Sequence, residues 1–143
     1  MDLSIRDARL DDSPQLARLL DQLGYPTDEA AVAARLERLA IVGDRVFVAQ
    51  SGERIVGLAH LQASPGIERD RPAGKLGALV VDESCRGQGV GRALVQAVES
   101  DARLRGCEVL VLTTRETRDA AHAFYERIGF EQTGRRYSRT LNE

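Results

Sequence analysis

The run "DESCRGQGVGRALV", residues 82 to 95, holds the densest chemistry in the chain. Gly87, Gly89 and Gly91 alternate, Arg86 and Arg92 flank them, and the preceding Leu79, Val80 and Val81 are apolar. A strand, a glycine-rich turn and a helix start make an anion site. The first N–H groups of a helix have no partner inside it, and the helix dipole adds positive charge at that end. Glycine lets the backbone close on a ligand without a side chain in the way. Arginine adds paired hydrogen bonds that suit a phosphate. A plain tight turn with solvated arginines is the competing reading, and this arrangement exceeds what a turn requires.

Spacing removes the two commonest nucleotide loops. A dinucleotide fingerprint is G-x-G-x-x-G or A, but the last position falls on Arg92 from Gly87 and on Leu94 from Gly89. A P-loop needs Gly-Lys followed by Ser or Thr, and no such tripeptide occurs. What remains is a phosphate cradle of a third kind.

The elements that must position this loop follow from periodicity. Residues 3–8 read as a strand. Ser13 and Pro14 offer a helix start, with Leu16, Leu19, Leu20 and Leu23 on one stripe and Gly24 as the stop. Thr27 caps a second helix that turns Val32, Ala33, Leu36, Leu39 and Ala40 inward. Residues 45–50 and 54–63 form a hairpin around "SGE", and 75–81 is the next strand. After the glycine loop a helix runs to about Gly106, with Val90, Leu94, Ala97 and Val98 buried. "VLVL" (109–112) has the apolar run of a strand covered on both faces. A last helix carries Ala121, Phe124, Tyr125 and Ile128 and stops at Gly129, and the tail suggests one or two closing strands. A helix between the strands at 75–81 and 109–112 makes those two parallel. The expected fold is α/β: a mixed, mostly antiparallel central sheet with one parallel β-α-β unit and helices on both faces.

Bulk properties narrow the function. The 143 residues suit a single domain, and 20 basic against 22 acidic residues leave a net charge of −2. That balance gives no footprint for nucleic acid or an anionic membrane. No apolar run nears the ~20 residues of a membrane span, and the N-terminal residues lack the order of a signal peptide. Cys85 and Cys107 have no metal spacing and no activating histidine, so reduced thiols, no metal site and a cytoplasmic setting are expected.

The hexamer Arg86-Gly87-Gln88-Gly89-Val90-Gly91 matches R-x-x-G-x-G, preceded by "LVVDESC" and followed by "AAHAFYERIGF" (120–130), which matches A-x-x-F-Y-x-x-x-G-F. With these motifs in this order, the chain resembles the GNAT N-acetyltransferase superfamily over most of its length. The resemblance implies that backbone amides of Gly87, Gln88, Gly89, Val90, Gly91 and Arg92, with Arg86 beside them, bind the pyrophosphate of acetyl-CoA. It implies that Leu79, Val80 and Val81 pair with the pantetheine arm, one amide facing the thioester carbonyl. Tyr125 matches the tyrosine that protonates the departing thiolate, although its place on an apolar stripe equally suits a core tyrosine.

The chain departs from the family where a base is needed. Amine attack requires the neutral amine, and an ammonium near pKa ~10 is almost wholly protonated at neutral pH. Many members carry a Glu on the strand before the loop or on the next one. Here those stretches read Gly77-Ala78-Leu79 and Leu112-Thr113-Thr114. His60, Glu68, Glu116 and His122 are the candidate bases or acceptor-side residues, with Tyr25 and Pro26 lining the acceptor. Arg118 stands where many members have Asn. "LLDQLGYP" (19–26) is similar to bacterial small-amine members, aminoalkylphosphonate acetyltransferases among them. The expected activity is acetyl transfer to a primary amine of a small molecule, and the resemblance implies a homodimer as the assembly to look for. A catalytically weak acyl-CoA sensor is the alternative: the absent carboxylate favours it and Tyr125 opposes it.

Overall fold

The computed structural model describes residues 2–114 and 119–141. The chain forms β1 (Ser4–Asp7), α1 (Ser13–Leu23), α2 (Glu29–Ile41), β2 (Arg45–Ser51), β3 (Arg54–Ser64), β4 (Ala73–Val81), α3 (Val90–Leu104), β5 (Val109–Leu112) and α4 (Asp119–Arg127). They fall into two compact units, Met1–Leu112 and Thr113–Glu143.

In the first unit β1 to β5 lie side by side in chain order. Neighbours are antiparallel except β4 and β5, which are parallel, as their connection through α3 predicts. The sheet carries helices on both faces. Val48, Leu58 and Val80 stand in one cross-strand row and share a core with Leu16 and Leu19 of α1 and Val32 of α2. Gly57 turns to the other face, where a Cβ would meet Val90 and Leu94 of α3. Burial of a leucine in either layer contributes about 1.5–3 kcal/mol.

Caps and outer residues differ from expectation in detail. The first residue of α1 is Ser13 itself, preceded by Asp12, and its hydroxyl donates to the Leu10 carbonyl. Asp28, not Thr27, caps α2: its carboxylate accepts from the Ala31 N–H at 2.8 Å, while the Thr27 hydroxyl donates to the Tyr25 carbonyl. Ala40 is exposed, because α2 leans only one edge of its stripe on the core. Val111 of β5 is 39% exposed rather than covered on both faces, since β5 is the last strand of the sheet. No strand forms among the described residues after α4. That tail offers almost no apolar face to bury, with Tyr137 91% and Leu141 89% exposed.

In the second unit, α4 ends in a left-handed Gly129 at φ 102°. Gly129 N–H bonds the Glu126 carbonyl and Phe130 N–H the Tyr125 carbonyl at 2.9 Å, a Schellman cap. The cap also brings the rings together: Phe130 meets Tyr125 edge-on at 5.8 Å, and Phe124 does so at 5.3 Å. Residues Ala121, Phe124, Tyr125 and Ile128 share a half-buried face rather than a closed core.

Candidate active site

β4 outruns its parallel partner. The β5 ladder covers only Ala73 to Leu76, so Gly77 to Val81 continue past it on that side. Asp82 N–H bonds the Val56 carbonyl of β3 at 2.8 Å. Strand alternation then turns the N–H groups of Val81 and Leu79 away from β3, toward the unladdered edge. Leu79, Val80 and Val81 lie in this stretch.

The turn after β4 opens directly onto α3. Gly87 and Gly89 are left-handed, at φ 79° and 85°, and no atom lies within 4 Å of a Cβ built on either. Gly89 is the residue before α3 and provides no capping side chain, and the first turn of α3 holds no acid. The N–H groups of Val90, Gly91 and Arg92 therefore receive no capping side chain, and the positive end of a helix of fifteen residues lies behind them. Arg86, Gln88 and Arg92 are exposed, and neither arginine is paired with an acid among the described residues. A helix start of this kind attracts anions in general.

Burial holds the loop in place from beneath. Val90 is 1% and Leu94 0% exposed, pinning the first two turns of α3 to the sheet. At its far end Asp101 accepts from Arg45 at 2.7 Å and Arg105 at 2.8 Å. Asp82, where β4 leaves the sheet, is 1% exposed. It takes Arg18 of α1, Arg54 of β3 at 2.8 Å, and the Ser84 N–H and hydroxyl at 3.0 Å. Burial pushes its carboxyl up, but Arg18 and Ser84 outweigh this and hold it far below the usual carboxylate range. This knot ties the approach to the glycine loop onto α1 and β3. Sequence reading missed it, because one Asp before a turn does not show which distant arginines will reach it.

The remaining candidates are scattered. His60 lies on β3 with Nε2 2.8 Å from Asp44 Oδ2. Tyr25 follows α1, is 54% exposed and bonds its N–H to the Leu20 carbonyl. Glu68 sits in the loop between β3 and β4, with its carboxylate folded over Gly66 and near Arg69. His122 and Tyr125 are both half-buried on α4 in the second unit. Glu116 and Arg118 lie outside the described residues. Among the described residues no three His, Cys, Asp or Glu side chains cluster as a metal site would require, and no helix is long and apolar enough to cross a membrane.

Comparison with known proteins agrees with this geometry. The model of the Acetyltransferase (GNAT) family matches residues 10–130. A glucosamine 6-phosphate N-acetyltransferase of Trypanosoma brucei brucei is 33% identical over 132 residues, 87% of this chain and 88% of that one. An aminoalkylphosphonate N-acetyltransferase of Salmonella typhimurium is 34% identical over 92 residues, 64% of this chain and 59% of its own length. The crystal structure of a Trypanosoma brucei acetyltransferase superposes with a TM-score of 0.84 at 30% identity, covering 98% of this chain and 100% of that one. The chain belongs to the GNAT acetyltransferase family and is an acetyl-CoA-dependent acyltransferase.

Proposed function

We propose that the chain acts as one domain over residues 1–143 and moves the acetyl group of acetyl-CoA to a primary amine of a small molecule by direct attack. The observation that carries this is the uncapped, acid-free first turn of α3, with exposed Arg86 and Arg92, at the end of a strand whose last five residues run past the β5 ladder. The family match crosses the boundary between the two compact units, which supports reading them as one domain. Acetyl-CoA, when bound, supplies a thioester carbon open to attack. Residues Gly87 to Arg92 then hold its pyrophosphate, and the β4 amides hold its arm and the thioester oxygen. The phenol of Tyr125, with its ring braced by Phe124 and Phe130, hydrogen-bonds the departing sulfur and shares a proton with it.

Two relatives supply a starting panel of acceptors. Glucosamine 6-phosphate and aminoalkylphosphonates, named in their activities, each join an amine to a phosphorus oxyanion. The cytoplasm, where acetyl-CoA is made, is the setting this reading requires. A second reading, an acyl-CoA sensor, draws on one observation: neither Gly77-Ala78-Leu79 nor Leu112-Thr113-Thr114 carries a carboxylate. The test is thiol release from acetyl-CoA over a panel of primary amines, with CoA affinity measured by calorimetry. Turnover that falls about 10²-fold or more in Tyr125→Phe, with CoA affinity kept, supports transfer. Tight CoA binding without turnover on any amine replaces it with the sensor, and no CoA binding overturns both.

A further inference from the structure

We propose that His60, held by Asp44, takes the proton from the acceptor amine; this rests on the acetyl transfer proposed above. The chemistry demands such a group, since an amine near pKa ~10 presents no lone pair at neutral pH. The sheet places one where no carboxylate stands. His60 pairs with Val46 on β2 and follows Leu58 by two residues, so it lies on the face of α1 and α2. Opposite it the register slips: Ala59 pairs with Leu79 but Leu61 with Leu76. Gly77 and Ala78 thus share the place facing one histidine, as a β-bulge does.

Glycine at this bulge is what admits the ring. A Cβ on Gly77 would lie 2.7 Å from His60 Nδ1, closer than real Cβ atoms stand, so the imidazole rests on bare backbone. The other nitrogen, Nε2, is 2.8 Å from Asp44 Oδ2. A carboxylate only accepts, so Nε2 carries a hydrogen, and in the neutral ring Nδ1 is the nitrogen with the lone pair, turned to β4. The Asp44 side chain is 9% exposed and that of His60 21%, while Gly77 itself is exposed. A half-buried acid, a partly open imidazole and an open stretch of strand lie in sequence. Leu79, whose N–H faces the unladdered edge, is two residues and at most about 7 Å along β4 from Gly77.

The proton balance closes. Nδ1 accepts one proton from the ammonium and leaves a neutral amine. Its nitrogen forms the new bond to the acyl carbon as the carbon–sulfur bond breaks. The second nitrogen proton ends on the sulfur, and the imidazolium returns its own to solvent. Asp44, whose carboxylate acts through His60, is a positioning residue that fixes the tautomer and steadies the imidazolium. Of the other charged groups nearby, Arg45 is turned to Asp7 and Asp101, and Lys75, two residues before Gly77, is exposed.

The test uses the intact chain, acetyl-CoA and the best amine of the panel. His60→Gln lowers kcat about 10²-fold at about pH 7 with CoA affinity unchanged, and the deficit shrinks toward about pH 10, where the amine deprotonates unaided. Gly77→Ala, which drives the ring off its seat, does the same. A deficit equal at every pH, or an active His60→Gln, overturns the proposal and leaves acetyl transfer standing. No turnover by the parent chain on any amine overturns both. Imidazole nitrogen NMR of the unliganded protein gives a readout apart from activity. It shows the hydrogen of His60 on Nε2 at neutral pH, and a hydrogen on Nδ1 instead overturns the assignment.

Discussion

Gly57→Ala separates a loop held by the sheet from one that merely follows its own glycines. Gly57 has no left-handed φ, so a methyl there strains no backbone. It has no room, however. An ideal Cβ would stand 2.9 Å from Leu94 Cδ1, 3.1 Å from Val90 Cγ1 and 3.1 Å from the Val80 carbonyl oxygen. Leu94 and Val90 are 0% and 1% exposed, so neither side chain swings clear and α3 must lift. Loss of glycine's freedom in the unfolded chain stabilises by about 0.4–1 kcal/mol, and overpacking costs about 1–3 kcal/mol. Overpacking wins, leaving a net loss near 1 kcal/mol, or a few degrees in Tm. Because Val90 opens α3, the same shift displaces the anion cradle and weakens CoA binding. Gly74→Ala is the control on the same face. Its Cβ would meet Leu110, Ala102 and Cys107 at 3.3, 3.4 and 3.5 Å, distances that small shifts absorb, so it stays within about 0.5 kcal/mol of the parent. Urea unfolding at matched slopes and calorimetric titration with CoA read both effects. Equal stability and equal CoA affinity for the two variants would refute the packing account.

Gly89→Glu places a carboxylate at the mouth of α3 and a Cβ at φ 85°. Calorimetry should detect no CoA binding, while unfolding shows only the left-handed penalty of about 1–2 kcal/mol; unchanged affinity counts against the site. Asp82→Asn strands Arg18 and Arg54, whose side chains are 38% and 55% exposed and so partly solvated, and should cost about 2 kcal/mol in urea. The acid limb follows from the same group. Asp82 is held far below the carboxylate range by Arg18 and Ser84 against burial, and Asp12 is lowered by its Arg6 hydrogen bond. Their contribution is whole above the unfolded value near ~4 and drains away as pH falls through the folded ones. Urea midpoints measured downward from about pH 4 should therefore fall more steeply for the parent than for Asp82→Asn; parallel curves would remove Asp82 from the account.

What the sequence made legible is what the backbone does locally. Leu16 and Leu19 at helical spacing found the core side of α1, and Gly87 and Gly89 found the turn before α3, because each depends on neighbours a few residues away. The helix between them made β4 and β5 parallel in expectation, as they are. Partnerships formed across the fold were out of reach: Asp82 meets Arg18 across 64 positions and Arg54 across 28, and Asp44 meets His60 across 16. The closing strands expected after α4 do not form among the described residues, since residues such as Glu131, Arg135 and Arg136 leave too little apolar surface to anchor a ladder.

The absent carboxylate on β4 is then better seen as one half of an exchange than as a loss. A side chain at position 77 and a histidine at position 60 compete for one volume, as the 2.7 Å clash shows. A β4 side chain there would exclude the ring, whereas Gly77 admits it, and Asp44 then supplies the hydrogen bond that orients it. The bulge contributes the geometry, because two β4 residues facing one β3 residue leave the ring a glycine to lie on rather than the next side chain. A single substitution therefore tests both halves: Gly77→Glu would evict the imidazole and supply a carboxylate in its place. Loss of turnover in Gly77→Ala with partial recovery in Gly77→Glu, each measured as kcat with CoA affinity unchanged, is the pattern an exchange demands. Equal loss in both would mean that the place of the base, and not only its identity, belongs to His60.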